Sequence, residues 1–169
     1  MKIKKAIVLG AGFGKRMYPI TKKIPKPLIT INNITLLENS IKFLTSIGIK
    51  HIVVNAHFRH KQISDFIKKK NFSSKIDLVI EKGKILNTGG GILNASKIFK
   101  KQNFFVVNPD TLWRKGYKNE FRKLDKNYKK NKKPIMLLVS KSKSYDKSFK
   151  GDFNLNYNNE TVSYTHLTL

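Results

Sequence analysis

Residues 6–28 read AIVLGAGFGKRMYPITKKIPKPL, and how this stretch is read decides the fold. Its first residues form a continuous, β-branched apolar run that stops at Gly10, the pattern of a strand buried on both faces. A glycine loop follows, then a basic segment braced by prolines. Eight of the first 26 residues are basic and none is acidic; the first carboxylate in the chain is Glu38.

Glycines after a strand let backbone N–H groups face an anion. Two common templates for such a loop fail. A dinucleotide fingerprint needs a third glycine where Lys15 stands, and an acidic residue about 20 positions on; residues 25–37 contain none. A P-loop needs one more residue before its Gly-Lys pair, and a hydroxyl where Arg16 stands. What remains is Arg16, whose planar fork suits phosphate oxygens, and Lys26, a point charge held between Pro25 and Pro27. A plain glycine turn beside a surface Lys-Pro loop is the competing reading. The crowding of all these features into one acid-free stretch after the first strand favours an anion site.

Working outward, the rest of the chain alternates strands with helices. TLLENSIKFLTSIG (35–48) reads as a helix, with Thr35 and Glu38 at capping-box spacing, an apolar stripe of Leu37, Ile41, Leu44 and Ile47, and Gly48 at its end. HIVVNA, KIDLVIE, NFFVVN and PIMLLVS read as strands, and PLITI as a short extended piece. HKQISDFIKKK (with Ile63 and Ile67 inward), GILNASKIF and NEFRKLDKNYKK read as helices. The alternation implies one α/β domain with a mainly parallel sheet.

Composition narrows the class. The 169 residues are 40% hydrophobic and include no cysteine, which suits one globular core and excludes a disulfide scaffold and thiolate metal sites. No apolar run approaches the roughly 20 residues of a membrane span, and the first residues lack a signal-peptide core. A cytoplasmic protein without membrane partners is expected. The formal charge is +25, which invites a nucleic-acid-binding reading. All but four of the basic residues are Lys, however, and Ile and Asn are also abundant, a usage that A/T-rich codons produce by themselves. No stacking-aromatic motif accompanies the charge, so nucleic acid stays the alternative from another class.

At AGFGKRMYPITKKIPKPL (11–28) the residues reach a family. The stretch closely resembles the signature of sugar-1-phosphate nucleotidyltransferases, A-G-x-G-x-R-(M/L)-x-P-x-T followed by P-K-P-L. Lys15 stands where many members carry Ser or Thr. VVNAHFRHKQISDFI, EKGKILNTGGGILNA, FFVVNPDTLW (Pro109 replacing the more usual Gly) and KGDFNL are similar to later family segments in the same order. The resemblance covers about residues 3–157 and is closest to compact N-acetylmuramate-1-phosphate uridylyltransferases, with mannose-1-phosphate guanylyltransferases as the rival.

The resemblance implies a Rossmann-like, GT-A-type three-layer sandwich with a mainly parallel, mixed central sheet. It implies transfer of a nucleoside monophosphate from an NTP, UTP in the lead reading, to a sugar-1-phosphate such as N-acetylmuramate-1-phosphate, releasing pyrophosphate. Arg16 and Lys26 would be catalytic. Ala11, Gly12, Gly14, Lys15, Arg16, Lys26, Thr88 and Gly89 would line the nucleotide, and Asn108 and Asp152 the sugar. Asp110 would hold Mg2+; its place after an apolar strand suits a metal ligand in an open α/β sheet, and equally an Asx turn after Pro109. Glu81 is read either as facing ribose or sugar, or as simply ending its strand. His57 and His60 lack a third zinc ligand, and Trp113 reads as a packing residue.

VSYTHLTL (162–169) coincides with the translation of a transposon-type sequencing adaptor, although its alternation would also suit a strand. The expectation is a nucleotidyltransferase domain over 1–161, incomplete at its carboxyl end and with little or no turnover alone, followed by a non-native tail over 162–169.

Overall fold

Four of the apolar runs form one parallel sheet. The computed structural model describes residues 1–131, 133–143, 148, 153–156 and 161–163, in two units, Met1–Lys133 and Pro134–Leu169. The first unit runs β1 (Lys5–Leu9), a 3-10 turn (Lys15–Met17), α1 (Ile20–Lys23), a second 3-10 turn (Lys26–Leu28), β2 (Thr30–Ile31), β3 (Ile34–Thr35), α2 (Leu36–Ser46) and β4 (His51–Ala56). It continues with α3 (His60–Lys69), β5 (Lys75–Ile80), α4 (Asn87–Ser96), a 3-10 turn (Lys97–Phe99), β6 (Phe105–Val107) and α5 (Tyr117–Asn131).

The sheet order is β5-β4-β1-β6, and every pair is parallel, with Ile7 opposite Val53 on one side and Val106 on the other. No antiparallel strand joins it among the described residues, so the expected mixed character is not seen. Crossovers between parallel strands are right-handed. Stepping from β1 outward to β4 and β5 therefore lays α2 and α3 on one face, and stepping back to β6 lays α4 on the other. The core divides accordingly. Ala6, Val8, Ile52 and Val54 pack with Leu37, Ile41, Ile63 and Phe121 on one side, while Ile7 and Val53 pack with Ala95 and Phe99 on the other. Alternate residues of one strand thus hold both helical layers, each large aliphatic side chain contributing about 2 kcal/mol of burial.

Helix α2 forms where its sequence signals place it. The Thr35 side chain accepts from the Glu38 N–H at 3.1 Å, and the four expected stripe residues are all buried. Gly48 N–H donates to the Thr45 carbonyl and Ile49 N–H to that of Leu44, closing the helix in a Schellman motif. Glu38 uses its carboxylate elsewhere: it pairs with Lys42 at 2.7 Å and with Lys70 of the α3 carboxyl end at 3.0 Å.

Two readings are corrected. PLITI is not simply extended: it holds the turn at Lys26–Leu28 and then a hairpin, because Asn32 and Asn33 take the left-handed conformations (φ 49 and 63) of a two-residue turn. PIMLLVS is not a strand. Residues 134–140 adopt no regular structure, and Met136 and Val139 are exposed; an apolar run becomes a strand only where a ladder partner meets it. The second unit holds a 3-10 turn (Lys141–Lys143) and the antiparallel pair β7 (Phe153–Leu155) and β8 (Thr161–Ser163). Of the expected tail, 162–163 belong to β8 and 164–169 lie outside the described residues.

Candidate functional site

The strand order reverses between β1 and β6, since β1 leads outward to β4 and then β5 while β6 is reached from β5 on the far side of β1, and open α/β sheets place their ligands at such a switch point. A cleft of about 420 Å³ opens there. Gly10, Ala11 and Gly12 reach it from the end of β1, Asn55 from β4, Thr88 from the start of α4, and Asn108, Pro109 and Asp110 from the end of β6; Arg16 and Lys26 complete the wall. Seven of the residues singled out in the sequence therefore meet: Ala11, Gly12, Arg16, Lys26, Thr88, Asn108 and Asp110. Gly14, Lys15 and Gly89 stand outside the lining, and Asp152 lies outside the described residues.

The geometry of the loop explains why Gly14 and Lys15 turn away. Gly14 is left-handed (φ +66), and a Cβ there would lie 2.9 Å from Thr21 Cγ2 and 3.1 Å from Lys26 Cβ. Thr21 is fully buried, and its hydroxyl donates to the Gly14 carbonyl at 2.9 Å. Gly14 is thus the tight corner that joins the loop to the proline arm. The Lys15 ammonium lies over the Phe13 ring. A Cβ at Gly12, by contrast, would meet nothing within 4 Å, so this part of the loop faces open cleft.

Lys26 sits in its 3-10 turn between two buried prolines, with Leu28 N–H donating to the Pro25 carbonyl at 2.8 Å. Asp110 is placed from the other side. Asn39 of α2 accepts from Trp113 N–H at 2.9 Å and donates back to the Trp113 carbonyl at 3.2 Å, while the indole stacks on Phe43 with centroids 5.2 Å apart. Trp113 is the packing residue expected, and its packing steadies the loop that carries Asp110. Across 84 positions of sequence, Lys26 Nζ donates to Asp110 Oδ2 at 2.5 Å.

The Asp110 side chain is 42% exposed. Among the described residues no three His, Cys, Asp or Glu side chains gather into a metal cage, and His57 Nδ1 is engaged by the Glu81 carbonyl at 2.8 Å. Asp110 is an open carboxylate beside the glycine loop, a donor of the kind magnesium takes, since that ion uses one or two carboxylates and fills its remaining positions with water and phosphate oxygens.

Sequence reasoning missed Asn55 and left Glu81 open. Asn55 is 3% exposed in β4, and its Oδ1 accepts from Gly10 N–H at 2.8 Å. Its Nδ2 donates to Glu81 Oε1 at 2.7 Å, and Glu81 Oε2 accepts from Leu86 N–H at 2.9 Å. The available signal was a polar residue inside the otherwise apolar HIVVNA strand. Glu81 therefore does more than end a strand: it joins two cleft-lining segments. The proline arm has a comparable fastening, since Arg59 donates from Nε and Nη2 to the Lys22 carbonyl at 3.1 and 2.7 Å.

The fold and cleft define a Rossmann-like α/β protein with a cationic, glycine-lined site at its switch point. Residues 5–148 match the family described as Nucleotidyl transferase, and the chain belongs to that family. It is 36% identical over 108 residues to D-glycero-alpha-D-manno-heptose 1-phosphate guanylyltransferase of Campylobacter jejuni subsp. jejuni serotype O:2, covering 64% of this chain and 48% of that protein. It is 31% identical over 111 residues to N-acetylmuramate alpha-1-phosphate uridylyltransferase of Caulobacter vibrioides, covering 64% and 46%. Mannose-1-phosphate guanyltransferases of fungi are also among the relatives. Among solved structures, HddC from Yersinia pseudotuberculosis complexed with GMP-PN superimposes with a TM-score of 0.63 at 30% identity, covering 72% of this chain and 54% of that one. The matches span half or less of the length of the curated relatives. No helix among the described residues is long and apolar enough to cross a membrane.

Proposed function

We propose that this chain supplies the nucleotide-binding part of an enzyme that joins an NTP to a sugar-1-phosphate, giving an NDP-sugar and pyrophosphate. One observation carries the reading: Lys26 and Asp110 meet at the switch-point cleft, beside Arg16 and the glycine loop. In the reaction a phosphate oxygen of the sugar-1-phosphate attacks the α-phosphorus in line, and the bond from that phosphorus to the bridging oxygen of pyrophosphate breaks. The nucleophile is already an anion, so no general base is required. The protein's work is to hold two polyanions together and to neutralise charge as it moves to the leaving group.

Backbone N–H groups of Ala11 and Gly12 would meet the triphosphate, with Thr88 on the nucleotide and Asn108 on sugar hydroxyls. Arg16 would grip the departing pyrophosphate. Asp110 would hold magnesium, which when bound supplies charge neutralisation at the phosphates. The Lys26 ammonium, freed from Asp110 as phosphate enters, would bridge the two reacting groups. In this reading Gly14 shapes the loop, and Lys15 and Gly89, which lie outside the cleft wall, would not touch the nucleotide.

For the finer specificity, UTP with an amino-sugar-1-phosphate is supported by the C. vibrioides relative. GTP with a heptose or mannose phosphate is supported by the C. jejuni and fungal relatives. A pyrophosphate-release panel on the whole enzyme of which this chain is part, crossing UTP and GTP with N-acetylmuramate-, mannose- and heptose-1-phosphates and magnesium, tests both levels. One pair is expected to give release that Asp110→Ala reduces by at least about a hundredfold, the scale of one lost electrostatic partner in phosphoryl transfer. No release with any pair, or undiminished release in Asp110→Ala, defeats the proposal.

A further inference from the structure

The geometry points to Glu81 as the positioning residue of this cleft: through Asn55 and Leu86 it sets the glycine loop and the loop before α4 in one register. Glu81 is 3% exposed, and among the described residues no cation pairs with it. A buried carboxylate is costly unless hydrogen bonds satisfy both oxygens. Both are satisfied here, one by Asn55 Nδ2 and the other by Leu86 N–H. Asn55 passes the constraint on, because its Oδ1 accepts from Gly10 N–H at 2.8 Å, reinforcing the bond of the same N–H to the Asn55 backbone carbonyl at 3.1 Å. Helix α4 leaves room for this relay by lacking a side chain: a Cβ at Gly91 would lie 2.7 Å from Asn55 Nδ2 and 2.8 Å from Glu81 Oε1. Glu81 itself is not in the cleft wall, so it acts on a ligand only through the loops it holds. The inference deepens the proposed function and rests on it solely for the nucleotide readout described below.

Donor and acceptor counting supplies a test by exchange of roles. In Glu81→Gln the amides at 55 and 81 cannot both be satisfied, since whichever way they turn one N–H faces another. In Asn55→Asp two carboxylates meet where an amide and a carboxylate met. The double variant Asn55→Asp/Glu81→Gln restores every bond: the new carboxylate accepts from Gly10 N–H and from the new amide, whose oxygen accepts from Leu86 N–H. Two quantities would be measured on the full chain: hydrogen exchange of the Gly10 and Leu86 amides relative to those of Ile7 and Val53, and binding of UTP and of GTP. Each single variant is expected to speed exchange at Gly10 or Leu86 and to weaken the bound nucleotide by about tenfold, the worth of one such bond. The double variant is expected to return both to near wild type.

Singles that match wild type in both quantities overturn the inference, as does a double variant no better than the singles. Should a single variant fail to fold, the double decides alone through the Leu86 amide, whose acceptor is the residue-81 side chain: a protected Leu86 amide supports the relay, and an unprotected one overturns it. A wild-type chain that binds neither nucleotide defeats the proposed function instead, and the exchange measurement then decides the relay by itself.

Discussion

Lys26 and Asp110 illustrate how a single residue acquires a role it lacks in isolation. Lys26 is one of many lysines, but buried prolines fix its backbone and Asp110 fixes its head. Gly14 is the other position where one atom decides the loop. Gly14→Ala would place a methyl group against Thr21 and Lys26 on left-handed backbone, a strain of about 1–3 kcal/mol. The expected outcome is a lower thermal midpoint together with weaker nucleotide binding, read by scanning calorimetry with and without UTP or GTP. Gly91→Ala should behave differently. Its added methyl favours the helix by up to about 1 kcal/mol while pushing on the Asn55–Glu81 pair, so nucleotide affinity should fall more than stability. Equal losses in both would argue against that separation.

At the scale of elements, α5 is tied to the start of the chain by one carboxylate. Asp125 accepts from Lys2 N–H at 3.0 Å and from Ile3 N–H at 3.1 Å. Burial pushes its carboxyl up, but these two backbone bonds and the nearby Lys129 ammonium outweigh burial and hold it below the ordinary value. Asp125→Ala leaves two N–H groups without their partner beside β1. We expect a loss of about 3 kcal/mol in denaturant unfolding at pH 7, with an unchanged dependence on denaturant. A loss under about 0.5 kcal/mol, the range of ordinary surface changes, would show that the first residues contribute nothing to docking α5.

For the molecule as a whole, ten carboxylates stand against 35 Lys and Arg, so acid acts on a fold already short of negative charge. Glu38 is held low first by its bond to Lys42, with Lys70 adding and burial opposing. Asp77 is pushed up by burial but brought lower overall by His51 and Lys75. Carboxyls lowered in the folded state stabilise it above their ordinary values and lose that contribution as pH falls through the folded ones. Stability should therefore be flat above the ordinary Glu value of 4.5 and fall steeply below the Asp value of 3.8. Glu38→Gln should lower the plateau and flatten the acid limb. At neutral pH the +25 charge repels itself, and ten carboxylates can pair with only a fraction of 35 Lys and Arg, so raising salt toward 0.15 M, where screening reaches about 8 Å, should raise the thermal midpoint. A midpoint that drops with salt would mean that ion pairs outweigh the repulsion.

Periodicity and glycine placement were enough to establish the strands β1, β4, β5 and β6, the stripe and stops of α2, and the acid-free loop carrying Arg16 and Lys26. Each rests on interactions a few residues long, or on the two faces of one strand, and such signals are local. The hairpin at Asn32–Asn33 was legible in kind but overlooked, and the apolar run at 134–140 misled because a strand needs a partner that no single segment specifies. Only the tertiary structure decided that Lys26 meets Asp110, that Asn39 and Trp113 hold the loop between them, and that Glu81 turns inward to Asn55 and Leu86. These pairs lie far apart in the chain or depend on which face of the sheet a carboxyl finds. The strand order β5-β4-β1-β6 brings them together, because right-handed crossovers leave the ends of β1 and β6 facing the same cleft.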